Sequence, residues 1–151
     1  MANLIEPELT LPLLQSLQSE RFALLSTIDH ESGSPYVSAI SWLYAKDPHT
    51  VFIAVNHRSQ IVKNIKSNFK VVLNVVALES TYSITSEALI IQDQIKDISL
   101  NLSLIQLNVK EVKDVMFYGA KMTTVPKYSK TYDLEAAKKL DQQVMEALKK
   151  A

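Results

Sequence analysis

The chain of 151 residues contains no cysteine. Zinc ribbons, iron–sulfur clusters, CxxC redox pairs, thiol nucleophiles and disulfide frameworks all need sulfur at fixed spacing, so all are excluded. Glycine is nearly as scarce, with only Gly33 and Gly119, far apart. GxGxxG, GxxxxGKS/T and GxSxG each need clustered glycines, so a dinucleotide fingerprint, a P-loop and a glycine-flanked nucleophile elbow are missing in their standard forms. An excess of one charge is lacking too, because sixteen Lys+Arg balance sixteen Asp+Glu. No overall basic field therefore recruits nucleic acid or an anionic membrane, and any anion site has to be local. No apolar run reaches the roughly 18 residues that span a bilayer. Residues 1–7 carry neither the basic nor the apolar region of a signal peptide, which makes the cytoplasm the expected location.

What remains is an ordinary globular composition, 47% hydrophobic. A chain of this length buries roughly 70% of its unfolded surface, enough for a core without covalent staples. Internal repeats and flexible linkers are absent, so residues 1–151 read as a single domain.

Residues 12–20 place Leu13, Leu14 and Leu17 at helical spacing behind Pro12, the pattern of a short amphipathic helix. Residues 22–28 (FALLSTI) form an apolar run that ends in the turn formers of residues 29–35 (DHESGSP). A returning strand over 36–45 turns through 46–49 into a third over 50–55. Residues 57–68 carry Ile61, Val62 and Ile65 at helical intervals, and 70–78, 81–91 and 100–109 continue the strand pattern. Residues 116–127 are ambiguous. Asp133 is a good N-cap for a closing helix to about residue 150, with Ala137, Leu140, Val144 and Leu148 on one stripe. Six strands in sequence with short flanking helices imply a mainly β protein, an antiparallel barrel or sandwich. Barrels this small fill their interiors with side chains, so a ligand has to bind outside, in a groove.

Two segments hold the candidate chemistry. In VFIAVNHRSQIVKNIKSNF a strand delivers Arg58, Ser59 and Gln60 to a helix start. Free N–H groups there favour an anion, Arg58 can make a paired contact with phosphate oxygens, Ser59 can cap or donate, and Lys63 lies one turn on. A capped surface helix with solvated Lys63, Lys66 and Lys70 has the same pattern, and spacing leaves both readings open. In SPYVSAISW alternation puts Val37, Ala39 and Ser41 on one face and Ser38, Ile40 and Trp42 on the other. Each face mixes apolar and hydroxyl groups, although a lone Trp is more often core than ligand platform.

The order of these segments resembles the N-terminal half of the FMN-binding split barrels related to pyridoxamine 5′-phosphate oxidase, over about residues 10–95. Thr27, Asp29, Gly33, Pro35, Val37, Ser59, Asn64 and Ile65 fall in register with the family pattern. The resemblance implies a six-stranded antiparallel split β-barrel, a homodimer, and FMN in a groove at the subunit interface. Ser38, Ala39, Ile40, Ser41 and Trp42 would line the flavin, largely through backbone groups. Ile53 and Ala54 would lie near the ribityl chain. Arg58, Ser59, Gln60 and Lys63 would surround the phosphate, and Thr81 would approach the ring. The implied activity is a flavin-dependent oxidoreduction of a small molecule, with no catalytic residue marked. Authentic pyridoxamine 5′-phosphate oxidase activity is not expected, because a plain amphipathic helix stands where that enzyme has a basic substrate-binding segment.

Gln60 and Ile61 follow the turn serine where family members that hold FMN tightly often carry two basic residues. This departure keeps a second reading open, a non-catalytic or stress-related binding module with weak flavin affinity or another cofactor, haem or a deazaflavin. A nucleic-acid binder of the OB type is disfavoured by zero net charge and by the lack of closely spaced aromatics on one strand. His30 and His49 sit in turn segments and His57 has no acid at ligand spacing, so no metal is expected. Tyr118, Tyr128 and Tyr132 read as packing or interface residues rather than as acids.

Overall fold

A computed structural model describes residues 5–151; the start of the N-terminal stretch, residues 1–4, lies outside the described residues. The elements run β1 (Ile5–Glu6), α1 (Leu11–Ser16), β2 (Ala23–Ile28), β3 (Pro35–Ile40), β4 (Leu43–Asp47), β5 (Thr50–Asn56), α2 (Gln60–Ser67), β6 (Lys70–Ala77), β7 (Ser80–Gln92), β8 (Leu102–Asp114) and α3 (Leu134–Lys150). The sheet has the order β3-β2-β6-β7-β8-β5-β4, with β1 added to β8, and every pairing is antiparallel.

Eight strands replace the expected six for two reasons. The short β1 pairs with the far end of β8, and the single strand expected over 36–45 breaks at Ser41 and Trp42. Before the break the chain pairs with β2 and after it with β5. At the break the Ser41 carbonyl accepts the Arg21 N–H at 3.1 Å, while the next carbonyl, Trp42, accepts the Ala54 N–H at 3.1 Å. The first and last strands of the sheet are thus consecutive in the chain. A covalent corner closes the cylinder where a ladder would otherwise run, which is the split of a split barrel.

The interior is aliphatic. Leu25, Leu43, Ile53, Leu73, Ile84, Ile105 and Leu107 are fully buried, and Leu13 and Leu17 from α1 and its C-terminal end plug one end. β5 is covered on both faces, since Val51, Ile53 and Val55 point inward while Phe52 and Ala54 lie under α3. The expected stripe of α3 carries this packing, with Val144 and Leu148 fully buried. Each such residue contributes about 1.5–3 kcal/mol by leaving water. Asp133 caps α3 through its side chain, accepting the N–H groups of Glu135 and Ala136. Asp133→Ala should cost about 1 kcal/mol. Thermal unfolding should register this as a fall in Tm of about 2–4 °C, and an unchanged Tm would show that packing alone sets the helix start.

No helix of the described residues is long and apolar enough to cross a membrane.

Candidate functional site

A groove of about 490 Å³ opens on the outside of the barrel at the covalent corner. Its first wall is the end of β3 and the corner itself, Ala39, Ile40, Ser41 and Trp42. Ala54, Val55 and Asn56 at the end of β5, followed by Ser59 and Ile61 at the start of α2, form the second. The third comes from the coil before α3, with Tyr128, Lys130 and Tyr132. The corner exists because one chain leaves β2 for β5, and the space it opens is what the groove occupies.

At one end of the groove sits the N-terminus of α2. Ser59 has extended backbone and its Oγ accepts the Val62 N–H at 3.4 Å. Among the described residues, the N–H groups of Gln60 and Ile61 find no acceptor. Two free donors at the positive end of a helix suit an anion. Just outside, Asn56 Oδ1 accepts the Arg58 N–H at 2.9 Å, fixing the turn that leaves the Arg58 guanidinium in solvent.

A polar cluster backs the third wall. Trp42 Nε1 donates to Asp141 Oδ1 at 2.8 Å, and Lys130 Nζ reaches the same oxygen at 3.1 Å and Glu20 Oε2 at 2.9 Å. Tyr128 donates its hydroxyl to Glu20 Oε2 at 2.6 Å. Burial and the Glu20 carboxylate push the Tyr128 phenol up to about 12, so it is a hydrogen-bond donor across the physiological range. Burial works against the Lys130 charge, but its bonds to Glu20 and Asp141 outweigh this and hold its pKa above the ordinary value.

Behind α2 lies a buried polar knot. Asn64, fully buried, donates to Thr27 Oγ1 at 2.9 Å and accepts the His30 N–H at 3.0 Å. The His30 Nδ1 lies 3.1 Å from the same Asn64 oxygen. Gln60 Nε2 reaches Asp29 Oδ1 at 2.8 Å. The Ser32 N–H and hydroxyl also bind Asp29 and lower its carboxyl pKa. The knot pins the β2–β3 turn to α2 and so fixes where the helix begins.

Of the residues anticipated from sequence, Ala39, Ile40, Ser41, Trp42, Ala54 and Ser59 are brought together on the groove. The other six lie elsewhere. Ser38 is half-buried on β3 opposite Leu25. Ile53 faces the interior, fully buried, because alternation along β5 turns it away from Ala54. Gln60 is spent on the β2–β3 turn, and Lys63 is exposed on α2. Arg58 projects into solvent at the rim. Thr81, the second residue of β7, donates to Met116 Sδ at 3.8 Å, away from the groove lining. Tyr128, Lys130, Tyr132 and Asn56 line the groove without having been singled out for it. The signal available was the YSKTY cluster just before a helix cap, two aromatics and a cation in a stretch without strand or helix periodicity. Tyr118, by contrast, is almost fully exposed.

Among the described residues, no group of three or more His, Asp and Glu side chains could hold a metal ion.

A split barrel with an external groove at its corner, one end of it a helix start, defines the class. Residues 12–116 match the family model described as Pyridoxamine 5′-phosphate oxidase, more than half of the chain, and the protein belongs to that family. None of the curated proteins matches it. Among solved structures it is similar to a candidate pyridoxamine 5′-phosphate oxidase of Lactobacillus delbrueckii, at 20% identity and TM-score 0.60, covering 74% of this chain and 98% of that one. General Stress Protein 26 of Bacillus anthracis aligns at 15% identity and TM-score 0.54, over 69% of this chain and 92% of that one. An F420 reductase aligns at 16% identity and TM-score 0.52, over 62% and 90%. At such identities the likeness concerns the fold.

Proposed function

We propose that the protein is a flavoprotein that holds FMN in the corner groove and serves an oxidoreduction of a small molecule. One observation carries this reading: the β5–α2 turn opens onto the same groove as the apolar wall of Ala39–Trp42 and Ala54, so an anionic tail and a planar ring find matching surfaces a short distance apart. The residues present fit that cofactor. The N–H groups of Gln60 and Ile61, with Arg58 at the rim, would hold the phosphate. The backbone edge at Ser41 and Trp42 and the Ala39 and Ala54 side chains would face the ring. Bound FMN supplies the electron transfer; the chain binds, orients and shields it. With its phenol protonated, Tyr128 can hold a proton at Oη beside the groove, and Lys130 keeps a positive charge there.

A second copy of the chain would complete the enclosure. Leu24, Val37 and Ala39 share the outer face of the β2–β3 edge, with Val37 57% exposed, and continue the apolar wall beyond the groove. A homodimer covering this face would shield a ring that one subunit leaves open. Sedimentation at micromolar concentration should therefore show a dimer, and a strict monomer would contradict it.

The direct test is titration of the purified protein with FMN, followed by flavin fluorescence and visible absorption. Retained yellow colour supports the proposal, and no measurable binding removes it. Arg58→Ala should weaken FMN about tenfold, the value of one charge-assisted contact. Its Tm should not change, because the side chain is exposed. Equal affinity in the two proteins would place the phosphate elsewhere.

The structural neighbour named as an F420 reductase favours one further reading, a deazaflavin in the same groove. A parallel titration with a deazaflavin separates the two, since the cofactor bound more tightly is the one the groove fits.

A further inference from the structure

The third wall of the groove is held differently from the other two. Met122 donates its N–H to the Glu79 carbonyl at 2.9 Å, and Asp133 caps α3. Between them, residues 123–132 make no backbone–backbone hydrogen bond to any described residue. The stretch is retained by side chains, and one carboxylate oxygen is their meeting point. Glu20 Oε2 accepts both Tyr128 Oη at 2.6 Å and Lys130 Nζ at 2.9 Å. The Lys130 ammonium also lies 5.7 Å from the Trp42 ring centroid and 5.6 Å from that of Tyr128. Glu20 and Asp141, 19% and 17% exposed, share this single cation. Partly desolvated pairs of this kind hold more firmly than exposed ones, and losing the cation would leave two carboxylates facing each other.

We propose that residues 123–132 are a strap that closes over the ligand of the corner groove, and that Glu20 is the positioning residue that keeps it shut through Tyr128 and Lys130. The strap itself stands on the contacts above, while its ligand rests on the flavin reading. Because Tyr128, Lys130 and Tyr132 line the groove, a ligand held against Trp42 has this segment as one wall, and lifting the segment widens its exit.

Glu20→Gln keeps the shape and an acceptor but removes the charge. In the ligand-free protein, trypsin should then cut after Lys127 about tenfold faster, the effect of losing one charge-assisted contact. Emission from Trp42, the sole tryptophan, should shift as Lys130 leaves its ring, although Glu20 has no hydrogen bond to the indole. FMN should dissociate about tenfold faster. Lys130→Met should match it in cleavage and dissociation. Lys121→Met, on the same connection, should match wild type, because its pair with Glu79 is 69% exposed on both sides. Unchanged cleavage in both Glu20→Gln and Lys130→Met would overturn the strap, whatever FMN does. Faster cleavage with unchanged FMN dissociation would overturn its closing over the ligand. Faster cleavage with no FMN binding in any variant would keep the strap and remove the flavin reading instead.

Discussion

Replacing Asn64 with leucine is expected to lower the unfolding free energy by about 3 kcal/mol, because the side chain satisfies several groups at once in a site without water access. Leucine fills a similar volume, so the cost is polar. The Thr27 hydroxyl, itself buried, loses its donor, and the His30 N–H loses its acceptor. For a chain of this length the change should appear as a fall in Tm of about 6–12 °C. The double variant Asn64→Leu, Thr27→Val should recover about 1 kcal/mol or more of the loss, since it removes the orphaned hydroxyl as well. A leucine variant as stable as wild type would show that the knot is not what fixes α2.

The second large effect concerns the groove. Ala39 is exposed on the edge strand β3 and lines the cavity, so Ala39→Trp fills space there without touching the core. FMN affinity should drop at least about a hundredfold, close to 3 kcal/mol, while the Tm, compared at concentrations where both proteins are monomeric, stays within about 2 °C, as surface changes usually do. Fluorescence titration reads the first and calorimetry the second. Undiminished affinity would mean that the cofactor lies outside this groove.

Much of the fold was legible because its signals are periodic. The stripe of Ala137, Leu140, Val144 and Leu148 foretold the packed face of α3, and Ser59 before Ile61, Val62 and Ile65 foretold the start of α2. The break at Ser41–Trp42 was not legible. No glycine or proline marks it, and it arises because successive carbonyls serve Arg21, just ahead of β2, and then Ala54 on β5, a tertiary requirement. The hairpin between the strands expected over 70–78 and 81–91 was placed within a residue or two, but its backbone was not foreseen, since Leu78 and Glu79 take positive φ, of 54° and 60°, where Asn or Gly is usual. In the candidate site, residues on regular strands were anticipated in part, with Ile53 misplaced by one step of alternation. Tyr128 and Lys130 were not anticipated as groove residues, because coil carries no period from which a facing direction can be read.

The covalent corner also separates two design variables that most small barrels couple. The aliphatic interior depends on the ladders that run in order from β3 to β4, whereas the width of the external cleft depends on how far apart two residues set β3 and β4. Lengthening or shortening the chain at 41–42 would resize the binding cleft, provided that the carbonyl bonds to Arg21 and Ala54 at the corner are kept. One scaffold could in this way accept occupants of different girth by changes at a single seam.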